Sequence, residues 1–169
     1  MFRYVLLPLD GSPGSEAAMD WVARLRSAWP AKVLLLRVVP VLDANMAAQA
    51  VFAPGIPPIG TAAMADEAKA AAQYLEEQRR HLGGGQDVQC RVVNGDPGAE
   101  IVAAVKRHGM DLVVMPSHSR TGIARMVLGS VTDHVVRQAG VPVLVFAPKA
   151  AAAHGAQAEP QPAAADRTA

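Results

Sequence analysis

The residues best suited to ligand chemistry lie between Asp111 and Ala147, in the stretch DLVVMPSHSRTGIARMVLGSVTDHVVRQAGVPVLVFA. A Val-rich apolar run from Asp111 to Met115 stops abruptly at Pro116, Ser117, His118, Ser119, Arg120, Thr121 and Gly122, where hydroxyls and positive charge replace hydrocarbon. Open α/β sheets bind their ligands where buried strands end in such loops. Ile123, Met126, Val127, Val131, Val135 and Val136 then recur at helical spacing, and Gly129-Ser130 interrupts that face, leaving backbone N–H groups approachable. The hydroxyls of Ser117, Ser119, Thr121 and Ser130, with Arg120 and His118, are donors suited to an anion. A second polar cluster, Asp10-Gly11-Ser12-Pro13, follows the first apolar run and sets a carboxylate at another strand end.

Other chemistries find no support. His118 has no carboxylate or second histidine placed by sequence to orient it as a base, so no catalytic residue is assigned. The five histidines form no HExxH and no pairing with the single Cys90, and no metal site is expected. Neither GxxxxGK[ST], GxGxxG nor GxSxG occurs, which removes the common phosphate loop, hydride transfer and the nucleophile elbow. A formal net charge of +1 gives no reason to expect nucleic acid or an anionic membrane as partner. The start MFRYVLLPLDGS has too short an apolar run for a signal peptide, and no segment reaches the length of a membrane span. A cytoplasmic protein with Cys90 as a plain buried thiol is the expectation.

The elements that must position these residues follow from periodicity. At 169 residues, 51% of them hydrophobic, the chain suits one domain, here 1–148. Residues 149–169, rich in Ala and Pro, hold too few large apolar side chains to offset ordering and read as a disordered tail. Tyr4–Leu9 reads as a strand, and Ser12 as the N-cap of a helix with Pro13 at its first position. That helix should reach about Trp29 with Ala17, Ala18, Trp21, Val22, Leu25 and Ala28 inward. Lys32–Val39 is a strand covered on both faces. A long loop spans Pro40–Gly60, and a helix spans Thr61–His81 before Gly83-Gly84-Gly85. Gln86–Val93 alternates like an edge strand, and Asp96-Pro97 opens a helix to His108 that Gly109 closes. Val141–Phe146 is the last strand. This order predicts an α/β fold, a parallel sheet with helices on both faces.

Asp10 after the first strand, LLLRVVP in the second, NGDP before the third helix, and MPSHSRTG with a following GS and then VPVLVF together resemble the universal stress protein family. The resemblance spans Met1 to about Pro148. It implies a five-stranded, doubly wound sheet of the adenine-nucleotide-binding type, a homodimer through the last strand, and in one branch an ATP site. In that branch a loop written G-x-x-G, nine residues, then G-S or G-T holds phosphates by its amides. Here the pattern lands on Pro116, Ser119, Gly129 and Ser130; Asp10 would bond the nucleotide and the Val38 backbone the adenine.

Pro116 has no N–H, and a lost bond to a charged acceptor is worth roughly 1.5–3 kcal/mol. The expected function is a stress-response sensor of adenine nucleotide, ATP with magnesium, that hydrolyses it slowly or not at all and acts on an unidentified protein partner by population shift. The alternative is an interaction protein of the same fold that binds no nucleotide.

Overall fold

In the computed structural model, residues 1–40, 61–117 and 128–146 are described. The expected 40–60 loop from position 41 onward, His118, Ser119, Arg120, Thr121 and the 149–169 tail lie outside them. Strand β1 spans Tyr4–Pro8, helix α1 Pro13–Ala28 and β2 Lys32–Val39. Helix α2 spans Thr61–His81, β3 Val88–Asn94 and α3 Pro97–His108. Strand β4 (Leu112–Pro116), helix α4 (Ser130–Gln138) and β5 (Val143–Phe146) complete the described chain.

The five strands pair in parallel in the order β3-β2-β1-β4-β5. The chain therefore winds from β1 out to β3, returns across the sheet to β4, and continues to β5. Both neighbours of β1 are buried with it, which is why VLL in β1, VLLL in β2 and LVVMP in β4 are unbroken apolar runs. Successive side chains serve opposite faces. Val5, Leu7, Val33, Leu35 and Val114 meet Ala18, Met19 and Val22 of α1 and Leu75 of α2. Leu6, Leu34, Leu36, Val113 and Met115 meet Ile101, Val102 and Val105 of α3 and Val135 of α4. Leu6, Leu7, Leu35, Leu36 and Leu75 are almost wholly enclosed, and each contributes about 1.5–3 kcal/mol by leaving water.

The helix boundaries have local causes. Ser12, extended at φ −81° and ψ 151°, accepts the Ser15 N–H, and Pro13 needs no donor at the first position. Asp96 does the same for α3 through Ala99 N–H at 2.8 Å, and Gly109 ends α3 in the left-handed region at φ 61°.

Several expectations require correction. Trp21 is 44% exposed rather than core, because the buried line of α1 is Ser15, Ala18, Met19 and Val22, one position around from the Ala17-Trp21-Ala28 line; Ala28 is exposed too. The indole instead flanks Phe146 at 6.3 Å between ring centroids, with the Arg24 guanidinium 5.7 Å from it. Val136 is 43% exposed because α4 turns Thr132 and Val135 inward, and Cys90 is half-buried, its thiol donating to Leu75 C=O at 3.4 Å. Strand β5 begins at Val143 rather than Val141, and β3 at Val88 rather than Gln86.

At the opposite edge from the strand ends, Asp111 joins β4 to β1. Its carboxylate accepts Arg3 N–H at 2.8 Å and Tyr4 N–H at 3.0 Å, while its own N–H donates to Tyr4 C=O at 2.9 Å. Only Val5↔Leu112 and Leu6↔Val113 are in register between these strands, so the clasp is a large part of the joint. Asp111→Ala should destabilise the fold by about 1.5–3 kcal/mol in denaturant unfolding, with Asp111→Asn intermediate; an unchanged midpoint for the alanine variant would show the clasp to be dispensable.

Candidate functional site at the strand ends

The return of the chain from β3 to β4 makes the carboxyl ends of β1 and β4 the point where successive connections part to opposite sides. Open, doubly wound sheets bind their ligands at such a point, where no crossover covers both strand ends. The Asp10 loop and the Pro116-Ser117 segment emerge side by side at this point, and Val38 sits near the end of β2 on the other side of β1.

Asp10 is exposed and shapes its own loop. Its Oδ1 accepts Ser12 N–H at 3.0 Å and Ser12 Oγ–H at 2.6 Å, and its N–H donates to Ser15 Oγ at 3.3 Å. Gly11 between them needs a glycine, with φ at +76°. Asp10 therefore organises the start of α1 with Ser12, whatever else it holds. Val38 is half-buried, opposite Val93 of β3, and packs against the α3–α4 core.

At β4, Pro116 is buried and its carbonyl accepts Thr132 Oγ1–H at 3.0 Å. Ser117 is buried as well; its N–H donates to Phe146 C=O at 2.8 Å and its C=O accepts Gly129 N–H at 2.9 Å. The amides of Ser117 and Gly129 are thus already used inside the fold. Gly129 is the N-cap of α4 and offers no side-chain cap. The first bond of that helix runs from Asp133 N–H to Gly129 C=O at 2.8 Å, which makes the N–H groups of Ser130, Val131 and Thr132 the orphan donors of its first turn. Asp133, a carboxylate in that turn, is held by Arg137 at 2.9 Å.

Gly129 has an extended φ of −62°, and a Cβ there would meet, among the described residues, only Ser117 C=O at ordinary contact distance, 3.5 Å. Neither backbone strain nor packing within the described residues demands a glycine at that place. Its missing side chain keeps the first turn of α4 open. His118, Ser119 and Arg120 lie outside the described residues, so the structure brings together Asp10, Pro116, Ser117, Gly129 and Ser130, with Val38 one strand further away.

The helix ends sort the two edges of the sheet electrostatically. A groove of about 520 Å³ lined in part by Arg26, Lys32, His81 and Asp87 sits at the start of β2, between the last turns of α1 and α2. The carbonyl ends of two helices disfavour an anion there, whereas the strand ends receive the N-termini of α1 and α4. No group of three or more His, Cys, Asp and Glu suited to a metal occurs among the described residues.

A family model described as the universal stress protein family matches residues 1–147. The chain belongs to that family. Universal stress protein MJ0577 of Methanocaldococcus jannaschii is 26% identical over 155 residues, which cover 86% of this chain and 94% of that protein. The solved structure of MJ0577 superposes with a TM-score of 0.67 at 28% identity, covering 88% of this chain and 98% of that one. Two further structures share the fold: a universal stress protein in complex with cAMP, TM-score 0.58 at 23% identity over 86% of this chain and 97% of the other, and an Arabidopsis thaliana family protein with AMP bound, TM-score 0.58 at 21% identity over 88% and 93%.

This universal stress protein has a feature at its strand ends that periodicity did not disclose. Arg37 interrupts the apolar run of β2, and its guanidinium lies 6.0 Å from the Tyr74 ring of α2, with Nη1 donating to Leu9 C=O at a long 3.4 Å. Tyr74 donates its hydroxyl to Glu16 of α1 at 3.3 Å. The one available signal was a charge in a strand otherwise buried on both faces.

The Tyr74 phenol is pushed up to about 12, first by burial and then by the Glu16 carboxylate, with Arg37 opposing. The fold thus favours the neutral phenol; that contribution is complete below the ordinary value of 10.0 and is lost as pH rises through about 12. The melting temperature of the wild type should fall more steeply than that of Tyr74→Phe over this range; parallel curves would remove Tyr74 from the alkaline transition.

Proposed function

We propose that this chain binds an adenine nucleotide, ATP with magnesium, at the carboxyl ends of β1, β2 and β4, as a sensor or switch with little or no hydrolysis. The observation that carries the reading is the first turn of α4: orphan N–H groups of Ser130, Val131 and Thr132 beside the switch point, opened by a glycine that the described packing does not require. A phosphate there would meet the positive end of a helix, with the Ser130 hydroxyl as a further donor. His118, Ser119 and Arg120 belong to the same proposed loop. Asp10 would accept from the ribose, and the Val38 backbone would meet the base. The AMP and cAMP held by proteins of this fold support the adenine class. Magnesium would enter with the triphosphate rather than on a preformed protein cluster. No catalytic residue is assigned.

The second reading, an interaction protein without nucleotide, draws on three observations. Pro116 offers no N–H, and the amides of Ser117 and Gly129 are bonded to Phe146 and Ser117 carbonyls. Binding must then rest on α4 and on side chains.

A cytoplasmic location and an unidentified protein partner complete the proposal. No helix among the described residues is long and apolar enough to cross a membrane, and no nucleic-acid partner is proposed. The edge position of β5, with Leu144 exposed, supports a homodimer formed along that strand.

Calorimetric titration of nucleotide-stripped protein with Mg-ATP tests the first reading. Micromolar binding is expected, weakened about tenfold or more by Asp10→Ala and by Ser130→Ala, as loss of a bond to a charged group implies. Absence of heat and of thermal shift at millimolar ATP would leave the interaction protein. Sedimentation at tens of micromolar should give a dimer that Leu144→Lys dissociates, and a wild-type monomer would refute the β5 interface.

A further inference from the structure

Arg37 is one of two described side chains, with Trp29, that enclose a nitrogen without a hydrogen-bond partner, and the one of the two that carries a charge. Its Nε is fully enclosed and has no hydrogen-bond partner, and its one bond, Nη1 to Leu9 C=O, is long at 3.4 Å. A buried donor on a charged group normally finds an acceptor, since leaving it without one is costly. Arg37 leaves β2 on the face opposite Leu36 and Val38, where the Tyr74 ring gives its guanidinium a cation–π contact but no hydrogen-bond acceptor.

The guanidinium is placed for a ligand. A Cβ on Gly11 would lie 3.6 Å from Arg37 Nη1, so the side chain rests against the same loop that presents Asp10 at the switch point. Turning toward an acceptor at the strand ends gives up one long hydrogen bond and the ring contact with Tyr74, in exchange for a full hydrogen bond to the guanidinium.

We infer that Arg37 is a specificity residue of the proposed nucleotide site, an inference that rests on that reading, and that it donates to an acceptor on the base or ribose rather than to phosphate. The topology decides between the two. Arg37 belongs to β2, and the open N-terminus of α4 follows β4, two strand spacings or about 10 Å away across β1. A nucleoside with its phosphate on α4 reaches back toward β2 with its base end. Because a guanidinium only donates, it selects ligands that present lone pairs there.

Calorimetry of the wild type, Arg37→Met and Arg37→Lys with adenosine, AMP and Mg-ATP tests this. The methionine variant, which keeps the bulk and removes the donors, should weaken all three ligands by a common factor of about ten or more, with lysine recovering part of the loss. A loss absent for adenosine and growing with phosphate number would move Arg37 to the phosphates and overturn the assignment. Unchanged affinity in Arg37→Met beside tight wild-type binding would overturn it alone, leaving the nucleotide reading intact; if that variant also melts lower without ligand, Arg37 is a structural residue. Wild-type protein that binds none of the three sinks both readings.

Discussion

The pairing of β1 with β4 is the joint on which this molecule depends. The chain spends its first half moving away from β1 and must return across the sheet to pair on its free side, closing a contact between residues more than a hundred positions apart. Only Val5 and Leu6 are in register with Leu112 and Val113, and Asp111 adds three bonds at one end of that short seam. Loop closure of that length costs conformational entropy before any contact rewards it. The reward is burial: Val5, Leu6, Leu7, Val113 and Val114 are all excluded from water. Opening this seam would expose the centre of both cores at once.

The same joint positions the candidate site. Because β2 and β4 flank β1 and their connections leave in opposite directions, the loops after β1 and β4 diverge, and helix N-termini gather at that edge while C-termini gather at the other. The clasp and the candidate site are the two ends of one strand pair. Stability is invested at the amino ends, where Asp111 accepts two backbone N–H groups, and the carboxyl ends receive the start of α4, whose first-turn donors have no partner within the helix.

The backbone amides at the end of β4 are largely used inside the fold. Pro116 lacks a donor, the Ser117 amide completes the ladder to β5, and the Gly129 amide ties α4 to β4. These bonds tie the start of α4 to the end of β4, and fewer amides remain for a ligand. Side-chain donors then carry more of any recognition, and Arg37 keeps an enclosed Nε–H that the described fold does not bond.

Periodicity and punctuation by themselves determined the element order, the parallel sheet, both helix caps at Ser12 and Asp96, and the stop at Gly109, because each depends on a few neighbouring residues and on whether one or two faces are buried. The strand end at Pro116 was legible for the same reason, whereas Gly129 and Ser130, expected as a break within a helical face, are instead the N-cap and first residue of α4. Tertiary structure alone decided that α1 buries Met19 and leaves Trp21 beside Phe146, since an alanine-rich helix has no sharp apolar stripe and its rotation is chosen by what it packs against. It also decided that the Ser117 and Gly129 amides are consumed by strand β5 and residue Ser117, and that Arg37 meets the Asp10–Gly11 loop. Those are contacts between distant segments, and no local pattern of residue types encodes them.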